Sequence, residues 1–500
     1  MFRLLFIAVL AVLSSVNLRA LVNTPEVPQP PPGTSTVAIN TPEPPPSPAE
    51  PAVSTAPAPQ AEPPSSPLQI KIGDATITPV GFMDLTNTYR STNAGTSLQT
   101  NFGSIPYLNT PTGHLAENKF SAANSRVGFR VDTIAKGWNV LGYFEGDFVG
   151  SVAANNTQVS SNSLLYRIRL YWIDVRKGSL EMLAGQSWSM MTPNRVQISA
   201  LPGNLFYTQV IDVNYLNGLT WGRIPGVRFL FHATEKATMG ISLENAAQYF
   251  GGSGGGGVPT LPAALAGPMA FELDQNVTNG IATPNVHPDI IAKVAFDPNS
   301  HVHFEVTGIE RTVRLFNPNT TQYFTKGSGG GELNGNFEIL KNFRLISTNY
   351  WSDGGGRYLF GVAPDFIVHA DGSPSFIQSG STIQGFETRI KNIQWYTYYG
   401  GIYIRRNTAL DTNGAKIGYG YAGSPNSHNK TTQEGTTGIT QTLFNDGKYG
   451  AVQLMLQYAY FFRNPWSVAP GTPRNTHEHG VWFNLRYVLP GSAPTVIQQK

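Results

Sequence analysis

From Thr76 to Leu489 the chain alternates apolar and polar residues with period two, in blocks of about 8–13 residues. Such alternation predicts half-buried strands, because successive side chains leave a strand on opposite faces. Sixteen blocks can be counted, at 76–90, 120–132, 138–149, 163–176, 179–188, 217–233, 237–247, 289–296, 301–311, 329–339, 343–351, 381–390, 393–404, 436–445, 450–462 and 480–489. Seven of the gaps are tight-turn sequences: Ala135-Lys136-Gly137, Lys177-Gly178, Thr234-Glu235-Lys236, Asp297-Pro298-Asn299-Ser300, Lys341-Asn342, Lys391-Asn392 and Asn445-Asp446-Gly447-Lys448. The other eight are long and rich in Gly, Pro and Asn, at 91–119, 150–162, 189–216, 248–288, 312–328, 352–380, 405–435 and 463–479. Short turn and long loop therefore alternate down the chain. Pro225 interrupts the sixth block and predicts a bulge or a late strand start.

Each block has one apolar and one wettable face. In the fourth, Tyr166, Ile168, Leu170 and Trp172 share a face, with Arg167 and Arg169 on the other. In the second, Val127, Phe129 and Val131 oppose Arg126, Gly128 and Arg130; in the third, Phe144 and Phe148 oppose Glu145 and Asp147. The fifteenth and sixteenth repeat the pattern, with Leu454, Leu456, Phe483 and Leu485 opposite Gln453, Gln457, Asn484 and Arg486. An arginine facing lipid at the midplane costs roughly 2–4 kcal/mol, so in a membrane barrel the arginines point inward. Trp138, Trp172, Trp188, Trp351, Trp395, Tyr89, Tyr358 and Tyr487 fall near block ends, as two interfacial girdles require, although aromatic residues favour strands in any case.

An even strand count with short turns on one side and long loops on the other is the pattern of bacterial outer-membrane barrels. It places both ends of the barrel on the short-turn, periplasmic side. A soluble sandwich does not predict this asymmetry, and no blade signature of a propeller is found. Closure also removes the exposed edges that so many strands would otherwise leave. The fold expected is all-β: a 16-stranded antiparallel transmembrane β-barrel with short periplasmic turns and long extracellular loops.

The N-terminal region agrees with export. Arg3 and the apolar run Leu4 to Val16 read as a secretory signal over residues 1–20, with Ala20 last before cleavage and Leu18 an unusual residue at −3. The run is too short to span a bilayer as a helix, and a retained anchor is the alternative. From Thr24 to Pro67 the sequence is Pro-rich and cannot bury a core. It predicts a periplasmic linker over 21–70, either a spacer toward peptidoglycan or another periplasmic partner, or a passive tail. The barrel is expected over 71–490 and a C-terminal tail over 491–500. The chain has no cysteine, which removes thiolate metal sites and cysteine nucleophiles. Charged residues make up 13%, aromatics 11%, and Gly numbers 52, a composition that suits turn-rich β structure; a net charge of +3 without a basic tract does not point to nucleic acid.

The candidate site is the inner wall. Arg126, Arg130, Arg167, Arg169 and Arg228 come from neighbouring or near-neighbouring blocks, with Glu145 and Asp147 on the strand between. Facing rows of opposite charge sort ions by sign, and an excess of guanidinium favours carboxylate or phosphate. The same residues could equally brace the wall as ion pairs. Arg389 with Glu387, and Glu305 with His303, add further lumen charges. The loop from Ser189 to Leu216 is apolar for a loop and is expected to be tucked either into the lumen or against a neighbouring subunit.

NSRVGFRVDT (Asn124 to Thr133), YFEGDF (Tyr143 to Phe148), RIRLYWIDV (Arg167 to Val175) and EMLAGQSW (Glu181 to Trp188) resemble, in order and spacing, the DcaP-like outer-membrane porins. The resemblance is close over about 115–235 and architectural beyond. It implies trimeric 16-stranded barrels that pass small anionic, often dicarboxylic, solutes, with Arg126, Arg130, Arg167 and Arg169 lining the pore. The chain departs from the family in its Pro-rich segment, where a helical extension is common, and in the ending GSAPTVIQQK, which lacks a terminal aromatic unless Tyr487 serves.

Other chemistry is weak. His477-Glu478-His479 has no third ligand at a recognisable spacing and predicts a solvated outer loop. His301 and His303 are expected on one strand face. GGSGGGG (Gly251 to Gly257) lacks the Lys-Ser/Thr of a phosphate loop and predicts a flexible outer loop. No acid–base pair or G-x-S-x-G stands out, so no enzyme and no cofactor is expected. The expectation is a homotrimeric porin in the bacterial outer membrane, in contact with its lipid. A secreted or surface-attached β-rich binding protein or adhesin, and a sugar- or phosphate-specific channel, are the alternatives.

Overall fold

The structure, a computed structural model, describes residues 66–94, 98–150, 165–205, 209–273 and 285–492. The expected signal sequence and nearly all of the Pro-rich segment lie outside the described residues. The main sheet contains 18 strand segments. Ile70–Ile72 only folds back on the start of β1, and two segments make up β2, which leaves 16 staves. These are β1 (Ala75–Arg90), β2 (Glu117–Ser121 and Arg126–Ala135), β3 (Trp138–Gly150), β4 (Leu165–Lys177), β5 (Leu180–Trp188), β6 (Arg223–Thr234), β7 (Ala237–Glu244) and β8 (Asp289–Asn299). They continue as β9 (Val302–Asn317), β10 (Gln322–Leu340), β11 (Phe343–Asp353), β12 (Gln378–Ile390), β13 (Ile393–Ile404), β14 (Asn429–Asp446), β15 (Gly450–Pro465) and β16 (Thr476–Val488). Each pairs antiparallel with its sequence neighbours. β1 also pairs with β16, from Phe82↔Val488 to Arg90↔Gly480, which closes the barrel.

All seven short turns fall where the turn sequences predicted. Ala135 pairs with Trp138 around Lys136 and Gly137, whose φ values of 51° and 79° match the twist of a tight hairpin. On the loop side several strands run further than the alternation indicated. β9 and β10 continue as a ribbon to Asn317↔Gln322, so most of the expected loop 312–328 is strand. The loops 352–380 and 405–435 carry hairpins of their own, Phe366–Val368 with Pro374–Phe376 and Asn407–Leu410 with Lys416–Tyr419. The His477-Glu478-His479 run belongs to β16 rather than to a loop, with Glu478 buried on the inner face. Gly251 to Gly257 is packed rather than extended into solvent: Gly103 N donates to Gly254 O, and Gly256 and Gly257 are buried. Pro225 sits near the start of β6, which begins only at Arg223, so the late start is the form its disruption takes. His303 lies inward and buried, whereas His301 is exposed in the turn before β9.

One correction bears on the site. In β4 the register against β3 slips, with Gly146 opposite Ile168 and Glu145 opposite Leu170. Arg169 is therefore the extra residue of a β-bulge, and side chains beyond it change face. Tyr166 and Ile168 are exposed on the outer face as expected, but Leu170 and Trp172 are buried inside and Tyr171 and Ile173 take the outer positions. Of the expected girdle residues, Trp138, Trp395 and Tyr487 are exposed near the short-turn ends and Tyr89 and Trp351 near the long-loop ends. Trp172, Trp188 and Tyr358 are not girdle residues, because all three are buried.

The core lies inside the barrel. Met190, Met191, Ile198, Ile211 and Leu230 pack with Ile291 and Ile309, and Leu216, Leu219 and Trp221 pack with Ile383, Tyr396 and Tyr398. The first group in each case comes chiefly from the segment 189–222, the second from inner faces of the wall.

Candidate functional site

The long loop between β5 and β6 folds into the lumen, which decides between its two expected placements. Its apolar side chains leave water there, and its backbone N–H groups need acceptors. The wall supplies them as side-chain oxygens. Glu244 on β7 accepts from Met190 N (2.7 Å), Glu305 on β9 from Asn194 N (3.1 Å) and Glu434 on β14 from Asn217 N (2.9 Å). Gln457 on β15 accepts from Ile211 N, and Glu332 on β10 from the Thr220 hydroxyl. Arg195 reaches Glu387 on β12 through two bonds of 2.7 and 2.8 Å, and Glu387 also accepts from the Tyr398 hydroxyl. The loop is thus fastened to the inner wall from β7 round to β15.

Space remains on the opposite side. A cavity of about 100 Å³ separates Pro202, Gly203 and 209–213 of the loop from Phe82, Arg126, Tyr143, Glu145 and Arg486 of the wall. A wider cavity of about 430 Å³ opens at the short-turn end, lined by Arg389, Lys391, Gln394, Thr440 and Gln453. Ser492 borders both.

The charges beside the narrow cavity form a ladder across three strands. Arg126 lies in register with Asp147, and Asp147 with Arg167. Asp147 accepts from Arg167 at 2.9 Å and from Arg169 at 2.7 Å, while Glu145 takes Arg169 at 2.9 Å and Arg126 at 3.5 Å. Arg167 and Arg169 share the inner face by ordinary alternation, and the bulge at Arg169 brings Leu170 in after them, opposite Glu145. Arg169 also donates to the Tyr215 hydroxyl at 2.8 Å, which ties the ladder to the loop. Further round, Arg130 pairs with Asp132 (2.8 Å) and Arg486 with Asp84 (2.8 Å), with Arg126 and Arg486 both over the Phe82 ring. Arg223 lies over Trp188 and Trp221 and has no carboxylate partner among the described residues. This wall therefore holds six guanidiniums against four carboxylates, and Asp212 of the loop adds a fifth carboxylate at the cavity, which leaves an excess of one guanidinium. Tyr215 senses that excess: burial pushes its phenol up, but Arg169, Arg126 and Arg223 outweigh burial and hold it below the ordinary value.

Of the expected residues, Arg126 and Glu145 border the narrow cavity, and Asp147, Arg167 and Arg169 stand directly behind them. Arg130 faces inward beside Asp132. Arg228 is apart from the group; it donates to Ser187 Oγ (3.1 Å) and Trp188 O (2.6 Å) at the root of the inward loop. Arg389 is at the short-turn mouth, with Nε donating to Lys391 O at 3.2 Å. Glu305 and Glu387 hold the loop rather than face the cavity. Sequence reasoning missed Arg486 and Arg223 as members of the cluster, and missed Glu244, Glu332 and Glu434 as loop anchors. A signal existed in the inward phase of each strand, where Arg recurs on β2 and β4 with one more, Arg486, on β16, and Glu recurs from β7 to β14.

The chain is similar in fold to the outer membrane channel DcaP of Acinetobacter baumannii, at a TM-score of 0.59 and 15% identity, over 84% of this chain and 99% of that one. OmpT of Vibrio cholerae matches at a TM-score of 0.43 and 9% identity, over 84% of this chain and 99% of that one. OprB of Pseudomonas putida matches at 0.43 and 7% identity, over 82% and 94%. No family model matches the chain, and no curated protein does. The likeness to DcaP is one of fold, and it is the likeness that the segments between Asn124 and Trp188 suggested.

Proposed function

We propose that this protein is a porin of the bacterial outer membrane that lets small hydrophilic solutes diffuse passively, with a preference for anions. The observation that carries the reading is the narrow cavity between Pro202, Gly203 and 209–213 of the inward loop and the wall of Arg126 and Arg486. A closed barrel with an apolar outer face and both interfacial aromatic rows suits a bilayer. A loop docked on one side of its lumen leaves a restricted path on the other. Arg126 and Arg486 on that path, with the further guanidiniums of the wall behind them, lower the energy of a carboxylate or phosphate passing in partly desolvated form. The carboxylates set among them hold the arginines extended and limit the depth of the attraction, so a solute can leave as well as enter. Glu145 and Asp147 thus brace the wall while Arg126, Arg130, Arg167, Arg169 and Arg486 supply the field. A dicarboxylate of small size is the solute class this geometry suits best.

Extraction tests the membrane part of the reading. The full chain should remain in the outer-membrane fraction until detergent is added, and should migrate faster on gels before boiling than after. Release into the soluble fraction without detergent would sink the proposal.

A further inference from the structure

On the long-loop side of the barrel a row of aromatic rings crosses the outer ends of β11 and β13 and reaches Trp466, just past β15. Trp351 stacks on Tyr403 at 6.4 Å, and Tyr403 meets Trp466 edge to face at 6.4 Å. In a bilayer such a row marks the level where hydrocarbon gives way to headgroups. Four cations stand beyond it. Arg405 lies two residues past Tyr403, about 7 Å further along the chain direction. Arg406 Cζ lies over the Trp466 ring at 5.4 Å and Lys430 Nζ at 5.0 Å. Lys416, on the hairpin of the loop after β13, joins Arg406 in lining a cavity of about 300 Å³.

These groups are fixed in place but not neutralised. Trp466 Nε1 donates to Ile404 O at 3.1 Å and Trp466 N to His428 O at 2.9 Å, which sets the ring between the segments that carry Arg406 and Lys430. Lys430 is the extra residue of a bulge, since Asn429 pairs with Pro465 and Thr431 with Asn464. Arg405 donates to the side-chain oxygen of Gln378. Among the described residues, none of Arg405, Arg406, Lys416 and Lys430 is paired with a carboxylate. Inside the barrel, by contrast, Arg195 is held by Glu387 and Arg311 by Asp289 and Asp365. The carboxylates nearest in chain and register do not serve the cluster. Asp411 accepts from Ala263 N and Thr412 N, and Asp353 stands two strands away from Arg405, across Gln378.

We propose that this rim is a binding site for the phosphate of a lipid headgroup in the outer leaflet. The proposal rests on the outer-membrane reading above, which puts the aromatic row at the interface and the four cations among the headgroups. Guanidinium forks and ammonium groups gathered in one cluster meet phosphate oxygens through charge-assisted bonds. Each Lys or Arg near a membrane surface strengthens binding to an anionic lipid roughly fivefold. The cavity wall is mixed: Thr408 and Tyr421 stand beside the exposed Leu410, which suits a phosphorylated sugar with apolar chains below it. The height of the cluster, directly beyond the rings, favours a headgroup over free phosphate, which needs no site at the level of the interface.

The test adds diphosphoryl lipid A to the full chain in detergent and reads binding by native mass spectrometry. Lipid A freed of both phosphates is the control lipid, and inorganic phosphate the control ion. Arg406→Gln with Lys430→Gln removes both cations from Trp466, and Lys416→Gln alone alters only the cavity. Lys341→Gln, in a short turn at the other end of the barrel, is the control variant, and heat-modifiable migration checks that each variant folds. The unaltered chain and Lys341→Gln should bind diphosphoryl lipid A alike. Binding should be about thirtyfold weaker in the double variant and about fivefold weaker in Lys416→Gln. The lipid without phosphates should not distinguish the unaltered chain from the double variant. No binding of diphosphoryl lipid A, or equal binding by all variants, overturns the proposal. Inorganic phosphate held as tightly as the lipid, and lost in the double variant, overturns the assignment to a headgroup. Those outcomes leave the porin reading standing, which fails instead if the protein is found outside the membrane fraction.

Discussion

Arg169 Nη2 donates to the Tyr215 hydroxyl over 2.8 Å, and this bond joins the arginine ladder of β4 to the loop that fills the lumen. Both residues are buried. Tyr215→Phe leaves a guanidinium N–H without that acceptor and should cost about 1–3 kcal/mol of local stability. Single-channel recordings should show noisier open currents than those of the unaltered chain, with average conductance little changed. Identical noise would mean that the bond does not hold the loop.

The strongest fastening is on the other side of the loop, where Arg195 and Glu387 meet in a two-pronged buried pair. Removing one member of a buried pair typically costs about 3–5 kcal/mol, because the other charge is left behind. Arg195→Ala should lower the unfolding temperature in detergent and raise conductance by freeing the loop from β12. Arg195→Ala with Glu387→Gln should recover much of the stability, since no buried charge remains unpaired.

The passage should respond to pH through Asp212. Burial raises the pKa of this loop carboxyl, and Arg90 with hydrogen bonds from Thr100 and Asn214 does not bring it back to the ordinary value. As pH falls, Asp212 therefore loses its negative charge before an ordinary aspartate does, and anion preference should begin to strengthen at a pH above the usual carboxylate range. Asp212→Asn should remove that part of the pH response. Because the folded pKa lies above the unfolded one, the stability linked to this group is present at low pH and lost as pH rises through the folded value. Asp212→Asn should accordingly match or exceed the original chain in thermal stability at neutral pH.

The bulge at Arg169 makes a prediction about faces. Tyr171 is 65% exposed on the outer surface while Leu170 is fully buried. Tyr171→Arg should therefore lower stability by up to about 2–4 kcal/mol, depending on its depth in the bilayer. Tyr171→Cys should react with a lipid-soluble maleimide and Leu170→Cys should not. The opposite labelling would restore the unbroken alternation.

That reversal marks the boundary of what was legible in the sequence. The 16 strands and seven turns follow from local rules: period-two alternation, and dipeptides such as Lys136-Gly137 that accept positive φ. A bulge is set by hydrogen bonds to the partner strand, so RIRLYWIDV looks continuous although its phase changes at Arg169. The ribbon beyond Arg311 was missed for a related reason. Gln322 to Ser328 lacks a continuous apolar face, because it pairs where no face has to be hydrophobic. The arginines were legible because a guanidinium on a membrane strand is driven away from lipid and into the lumen. The carboxylates that anchor the loop were not, because each is defined by a backbone N–H on a segment distant in sequence, as with Glu434 and Asn217.

The central claim is that guanidiniums along β2, β4 and β16 give the passage a positive field. Reversal potentials in planar bilayers under a salt gradient measure it directly. The original chain should prefer chloride to potassium, and replacement of Arg126, Arg167, Arg169 and Arg486 by Ala, singly and together, should move the reversal potential stepwise toward cation preference. A clear cation preference in the original chain, unchanged by those replacements, would contradict the account.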